Sequence, residues 1–151
     1  MGNRAVITRG IKNEDGTWGY DPKGIGVYLH WNGGRDSVTG FLKFCEKMGF
    51  RSVNDDESYF WARFCQVIAN YFGGDGLSVG IGIVDQLDCD NYDNGLYLID
   101  EFEIVGRKFF NGYEQDGYTL ESMLADIAAS QPLQDDIFKA VNEDIKKAVT
   151  E

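Results

Sequence analysis

Between residues 59 and 72 the chain carries Phe60, Trp61, Phe64, Cys65, Val67, Ile68, Tyr71 and Phe72, an apolar set spaced for a helix but too broad for one face of it. Asn54-Asp55-Asp56-Glu57-Ser58 supplies capping and acidic first-turn residues before it, and Gly73-Gly74 ends it. A helix with so wide an apolar surface has to be enclosed on most sides, so the rest of the chain must wrap around it. Its polar stripe is Arg63, Gln66 and Asn70, at i, i+3 and i+7.

The segments on either side read mainly as strands. Ala5, Ile7 and Ile11 alternate, turns at Asn13-Glu14-Asp15-Gly16 and Asp21-Pro22-Lys23-Gly24 follow, and Ile25 to Trp31 forms a further strand of an expected antiparallel meander. That strand places Ile25, Val27, Leu29 and Trp31 on one face and Gly24, Gly26, Tyr28 and His30 on the other. Leu77 to Ile83 repeats the pattern with Ser78, Gly80 and Gly82. Glycine weakens a strand, so two strands with glycine on one face predict a bulky neighbour close to their backbones, either the aromatic helix or a ligand.

A first helix is expected after Asp36 as N-cap, with Val38, Phe41, Leu42, Cys45 and Met48 inward and Gly49 at its end. Asp93-Asn94-Gly95 is a hairpin signal leading to strands at Leu96–Ile99 and Phe102–Val105. Thr119 caps a short helix carrying Leu120, Met123, Leu124 and Ile127 inward. Pro132 opens a last helix, about 132–149, that is either appended or oligomerising. With 151 residues and 43% apolar content the chain can bury one core without staples. The expectation is a single α+β domain over 1–151, an antiparallel twisted sheet of about five to six strands packed with about four helices.

The formal charge is −11, and from Phe64 to Gly106 no Lys, Arg or His occurs. Asp85, Asp88, Asp90, Asp93, Asp100, Glu101 and Glu103 fall in that stretch and define an expected negative face. Such a field repels nucleic acid and anionic lipid and attracts a protein partner with a basic surface. No direct nucleic-acid binding and no membrane association are therefore expected, and a homodimer is compatible with the apolar content. Cys45, Cys65 and Cys89 form no C-x-x-C and do not pair with the one histidine. With no leader-like opening, that suits a reducing cytoplasm.

Few residues offer chemistry. His30 has no Ser or Cys motif around it, so a structural strand-end role competes with any catalytic one. Asn32-Gly33-Gly34-Arg35 joins a strand to a helix as phosphate cradles do, but it lacks the third glycine of a dinucleotide fingerprint and the Gly-Lys-Ser/Thr of a Walker loop. Together with Arg63, Gln66 and Asn70, these residues form an alternative, nucleotide-like ligand site. Asp85, Asp88, Asp90 and Asp93 offer oxygen ligands but not the spacing of an EF-hand, so a solvated loop is the expectation and no metal or other cofactor is assigned. A metal-dependent hydrolase is the third reading.

The runs Asn3–Thr8, Gly26–Ser37, Cys65–Ile68, Phe72–Gly74, Leu77–Gly80, Asp93–Gly95 and Ile104–Arg107 resemble a family of small uncharacterised proteins from phages and mobile elements of Gram-positive bacteria. The resemblance extends to about Pro132 and brings no activity or site residues with it. It implies a genetic setting in which small accessory proteins inhibit host defences. Joined to the charge, it gives the leading expectation of a non-enzymatic inhibitor of a nucleic-acid-handling defence protein, of anti-CRISPR or anti-restriction type, acting through a nucleic-acid-mimicking acidic face.

Overall fold

The structure is a computed structural model that describes residues 2–73, 78–132 and 142–148. In chain order it runs β1 (Ala5–Arg9), β2 (Ile11–Lys12), β3 (Trp18–Gly19), β4 (Ile25–Leu29), α1 (Arg35–Lys47), α2 (Glu57–Tyr71), β5 (Val79–Ile83), β6 (Leu96–Asp100), β7 (Glu103–Lys108) and α3 (Leu120–Ser130). Residues 142–148 are also helical. The class is α+β. Most of the expected last helix lies outside the described residues.

The broad apolar helix is where the sequence puts it. Asp56 caps α2 by accepting from the Tyr59 N–H, and Phe60, Trp61, Phe64 and Ile68 are almost wholly removed from solvent. Phe60 stacks on Phe64 at 5.3 Å between ring centres, and Trp61 meets both rings edge-on. Each buried ring contributes roughly 1.5–3 kcal/mol by leaving water. The helices form one layer on the sheet, and α1 brings Val38, Phe41, Leu42, Phe44 and Cys45 into the same core. Asp36 is not the N-cap expected of it. Gly34 holds that position, and Asp36 sits inside the first turn, where its carboxylate accepts from the backbone of Gly117 and Tyr118.

The five-stranded sheet has the order β5-β4-β1-β6-β7, and β2-β3 forms a separate ribbon. The expected antiparallel sheet is corrected here, because β1 and β6 run parallel, Val6 opposite Leu96 and Arg9 opposite Ile99. The reason is topological. Strand β5 pairs with β4 and β4 with β1, both antiparallel, so β5 and β6 point the same way with two strands between them. The link from Ile83 to Leu96 must therefore return along the sheet, which takes about a dozen residues. Asp93-Asn94-Gly95 is accordingly not a hairpin turn but the end of this crossover. Gly95 takes φ +79° there, and a Cβ on it would lie 2.5 Å from the Lys108 carbonyl.

The crossover also accounts for part of the glycine face. A Cβ on Gly26 would lie 2.9 Å from Leu87 and 3.1 Å from Val84, and one on Gly82 would lie 3.4 Å from Leu87. Val84, Leu87 and Cys89 pack with Val6, Leu96 and Leu98 in a second, smaller core, on the side of the sheet away from α2. The bulky neighbour at Gly26 and Gly82 is therefore the chain's own crossover, while Gly80 faces open space.

Candidate functional site

At the end of the sheet where β1 and β6 begin and β4 and β7 finish, four irregular segments meet: residues 2–4, 30–36, 88–95 and 109–118. Asp93 is the centre of the junction. Its carboxylate accepts from the Arg4 backbone N–H at 3.2 Å, from Arg4 Nε at 2.7 Å and from Gln115 Nε2 at 2.6 Å. Asn91 and Asn94, both buried, act as spacers. Asn91 Oδ1 accepts from the N–H groups of Asp93 and Gly95. Asn94 gives Nδ2 to Asn3 Oδ1 and the Arg4 carbonyl, and its Oδ1 accepts from the Gln115 N–H. Arg107 closes the junction by donating to the carbonyls of Asn94, Asp93 and Gly112. Charged and amide groups joined this way hold four loops in one arrangement.

The seven acidic candidates are less of a unit in space than in sequence. Asp93 is internal, the side chain to which Arg4 is pinned. Asp85 pairs with Lys23 at 2.8 Å and Glu103 with Lys43 at 3.5 Å, while Asp100 accepts from Asn54 Nδ2. The cation-free stretch of sequence is thus partly neutralised by cations folding onto it from elsewhere. Glu101 lies exposed at the far end of β6 with its N–H on Asn54. Asp88, 3.7 Å from Arg4, and Asp90, held by Asn111 Nδ2 at 2.9 Å, remain exposed at the junction. The four carboxylates at 85, 88, 90 and 93 therefore do not converge on one point: Asp88 and Asp93 share Arg4, Asp85 turns to Lys23 and Asp90 to Asn111. Among the described residues no group of three or more His, Cys, Asp or Glu side chains is placed to hold a metal ion.

The junction presents aromatic side chains outward. Tyr92 and Phe110 are each 69% exposed and Tyr113 89%. Arg107 stacks 5.2 Å from the Phe110 ring centre. Gly112 sits against the Tyr92 backbone so closely that no side chain fits between them, which joins the aromatic loop 109–113 to the acidic loop 88–93. Beside them a hollow of about 390 Å³ is lined by Tyr20, Val84, Leu87, Phe109 and the acids Asp85, Asp88 and Asp90. Isolated Tyr and Phe in a glycine-rich segment carry no periodic signal, so only the folding of 109–113 onto 90–93 reveals the patch.

The residues of the alternative ligand site are not brought together. His30 shares a hydrogen bond with the Tyr28 hydroxyl through Nδ1 at 2.9 Å and meets Trp31 edge-on. Gly33 and Gly34 are filled by the chain itself: the Gly33 N–H donates to the Asn3 carbonyl, and the Gln115 backbone abuts Gly34. Asn32 reaches Tyr71 and Ser37, and Arg35 pairs with Glu114 at 2.7 Å. Arg63 donates to Gln66, and Asn70 to Gln131. Helix α2, which carries the last three, lies across the sheet from the glycine face.

Glu114 also accepts from the Tyr97 hydroxyl at 2.9 Å, and burial together with that carboxylate raises the Tyr97 pKa. Burial likewise pushes the thiols of Cys65 and Cys89 up to about 11, with Asp88 and Asp85 adding to the shift at Cys89, and it raises Cys45 as well. A thiol of that kind is only ~0.1% thiolate at pH 8. A thiol-reactive disulfide reagent at pH 8 is therefore expected to leave the folded chain unlabelled for minutes and to label all three cysteines once it is denatured. Fast labelling of any one in the folded protein would mark it as a nucleophile.

No protein-family model matches the chain, and neither a curated protein nor a solved structure matches it significantly. No helix among the described residues is long and apolar enough to cross a membrane.

Proposed function

We propose that this chain is a non-enzymatic binding protein that docks a basic protein surface on the acidic and aromatic patch formed by Asp85, Asp88, Asp90, Tyr92, Phe110 and Tyr113. The observation that carries the reading is the exposure of Tyr92, Phe110 and Tyr113 on loops fastened beside Asp88 and Asp90. Aromatic side chains dominate binding hot spots, and carboxylates beside them select arginine-rich partners by pairing while the rings stack on guanidinium groups. The loops are tied by the Asp93 junction, so little ordering entropy is lost on docking. With the genetic setting implied by the resemblance, the partner is a nucleic-acid-handling defence protein whose phosphate-binding surface the patch covers.

The test is capture of a partner from lysate of the natural host on immobilised protein, with three baits. Wild type retains a partner. Asp88→Lys with Asp90→Lys, and separately Tyr113→Ala, each retain at least ten-fold less, because a central aromatic anchor is worth about 2 kcal/mol or more. Both variants are exposed-site changes and keep the wild-type melting temperature. Equal capture by all three baits sinks the proposal, as does binding of wild type to DNA in place of protein.

A small-molecule reading retains one observation. A cleft of about 610 Å³ opens at the opposite end of the sheet, lined by Thr8, Arg9, Lys12, Trp18, Asn54, Glu57 and Asp100. Its charges are of both signs, with Arg9 3.8 Å from Glu57, and none of the residues at 30–35 or 63–70 reaches it. A rise in melting temperature with any nucleotide would favour this reading.

A further inference from the structure

The two outer strands of the sheet are finished differently. Strand β7 carries Glu103, Arg107 and Lys108 and shifts register opposite Leu98 and Ile99, devices that discourage pairing by another strand. Strand β5, the opposite edge, has neither. From Ser78 to Val84 there is no charge and no proline, and among the described residues no strand pairs with its outer side.

The hydrogen-bond parity fixes which groups that edge presents. The Ser78 carbonyl accepts from His30 and the Val84 N–H donates to Gly24. In an antiparallel ladder alternate residues face one neighbour, so Ser78, Gly80, Gly82 and Val84 bond inward to β4. Val79, Ile81 and Ile83 then direct both N–H and C=O outward. Their side chains share one face with Ile25 and Val27 of β4, and the helical layer stops short of it: Ile81 is 58% exposed, Ile83 41% and Ile25 38%.

We propose that β5 is a homodimerisation edge, on which β5 of a second copy pairs antiparallel about a two-fold axis at Ile81. The strand reads the same from either end in side-chain character, β-branched at 79, 81 and 83 and glycine at 80 and 82. About a two-fold axis at Ile81 each position faces the one equally far on the other side of 81 in the copy, so this near-palindrome sets β-branched residues against β-branched residues. Ile81 then faces Ile81, Val79 faces Ile83, and glycine faces glycine, with every outward N–H and C=O on the pairing residues satisfied. A basic partner is not the occupant, since this edge has no carboxylate to attract one. A single strand seam with its flanking isoleucines lies below the ~1,200 Å² of a standard stable interface, so the expected dissociation constant is on the order of 10 µM to 1 mM. Two copies each of charge −11 repel, so added salt strengthens the dimer.

Sedimentation velocity over that concentration range is expected to carry the wild-type chain from 17.0 kDa toward twice that mass, further at 0.5 M than at 0.05 M salt. Ile81→Lys stays monomeric throughout, and Asp88→Lys dimerises as wild type does. Hydrogen exchange on the unmodified chain supplies a second reading that no variant can confound. Protection of the amides of Val79, Ile81 and Ile83 rises at least ten-fold with concentration, while Gly80 and Gly82 do not change. A wild-type chain that is monomeric at every concentration and salt overturns the proposal, as does an Ile81→Lys dimer or a dimer without the alternating protection.

Discussion

Asp93→Ala is expected to destabilise the fold by about 2–3 kcal/mol, a drop of roughly 6–10 °C in melting temperature for a chain of this length, measured by calorimetry. The substitution strands three donors at once: the Arg4 backbone N–H, the Arg4 guanidinium and the Gln115 amide. Breaking a fully buried pair costs more, about 3–5 kcal/mol. The Arg4 side chain is 32% exposed and regains some water, which sets the lower figure. Asp93→Asn keeps the shape and loses the charge, so it should fall between Asp93→Ala and wild type. Asp88→Ala and Asp90→Ala remove exposed carboxylates and are expected to stay within about 0.5 kcal/mol of wild type. That contrast divides an acidic loop that looks uniform in sequence into one inner residue that fastens the loops and two exposed ones that can face a partner. If all three substitutions cost the same, the junction does not have the centre assigned to it.

How much of this could be read from the chain depended on the range of the interaction. Helix α2 was legible because its signals lie within one segment: an acidic cap, an apolar set at helical spacing and a glycine stop. The inward residues of α1 and the Thr119 cap of α3, which closes a capping box with Ser122, were legible for the same reason. The glycine faces of β4 and β5 announced a close neighbour without saying which, since Leu87 and Val84 lie in a segment whose aspartates read as a solvated loop. The parallel pairing of β1 with β6 was hidden. Asp93-Asn94-Gly95 is a local turn signal, and a turn specifies its own backbone but not the partner of the strand that follows. The junction was hidden for a related reason. Arg4 and Asp93 are separated by 89 positions and Asn3 and Gln115 by 112, and nothing in the composition of either segment ties them together.

Gly33→Ala separates two roles that the strand-to-helix loop could serve. A phosphate cradle needs glycine so that a ligand can approach the backbone, and an alanine there would weaken the ligand while leaving the empty protein as stable as before. A close approach of two parts of the chain needs glycine for the fold itself. The geometry is of the second kind. A Cβ at position 33 would lie 2.6 Å from the Asn3 carbonyl oxygen and 2.8 Å from both the nitrogen and the Cβ of Ala5. These are main-chain atoms or the first atom beyond them, with no flexible side chain to swing aside. Relief requires the start of β1 to move away from the loop, which weakens the bonds from the Gly33 N–H to Asn3 and from the Asn3 N–H to His30, each 2.8–2.9 Å long. Overpacking of this sort costs about 1–3 kcal/mol, and each bond lost adds about 1 kcal/mol, so a total near 3 kcal/mol is expected by chemical denaturation. Because Asn3 also receives Asn94 Nδ2, the displacement should loosen the Asp93 junction and lower partner capture together with stability. An unchanged midpoint for Gly33→Ala would mean that the loop is open, and would return the phosphate reading to consideration.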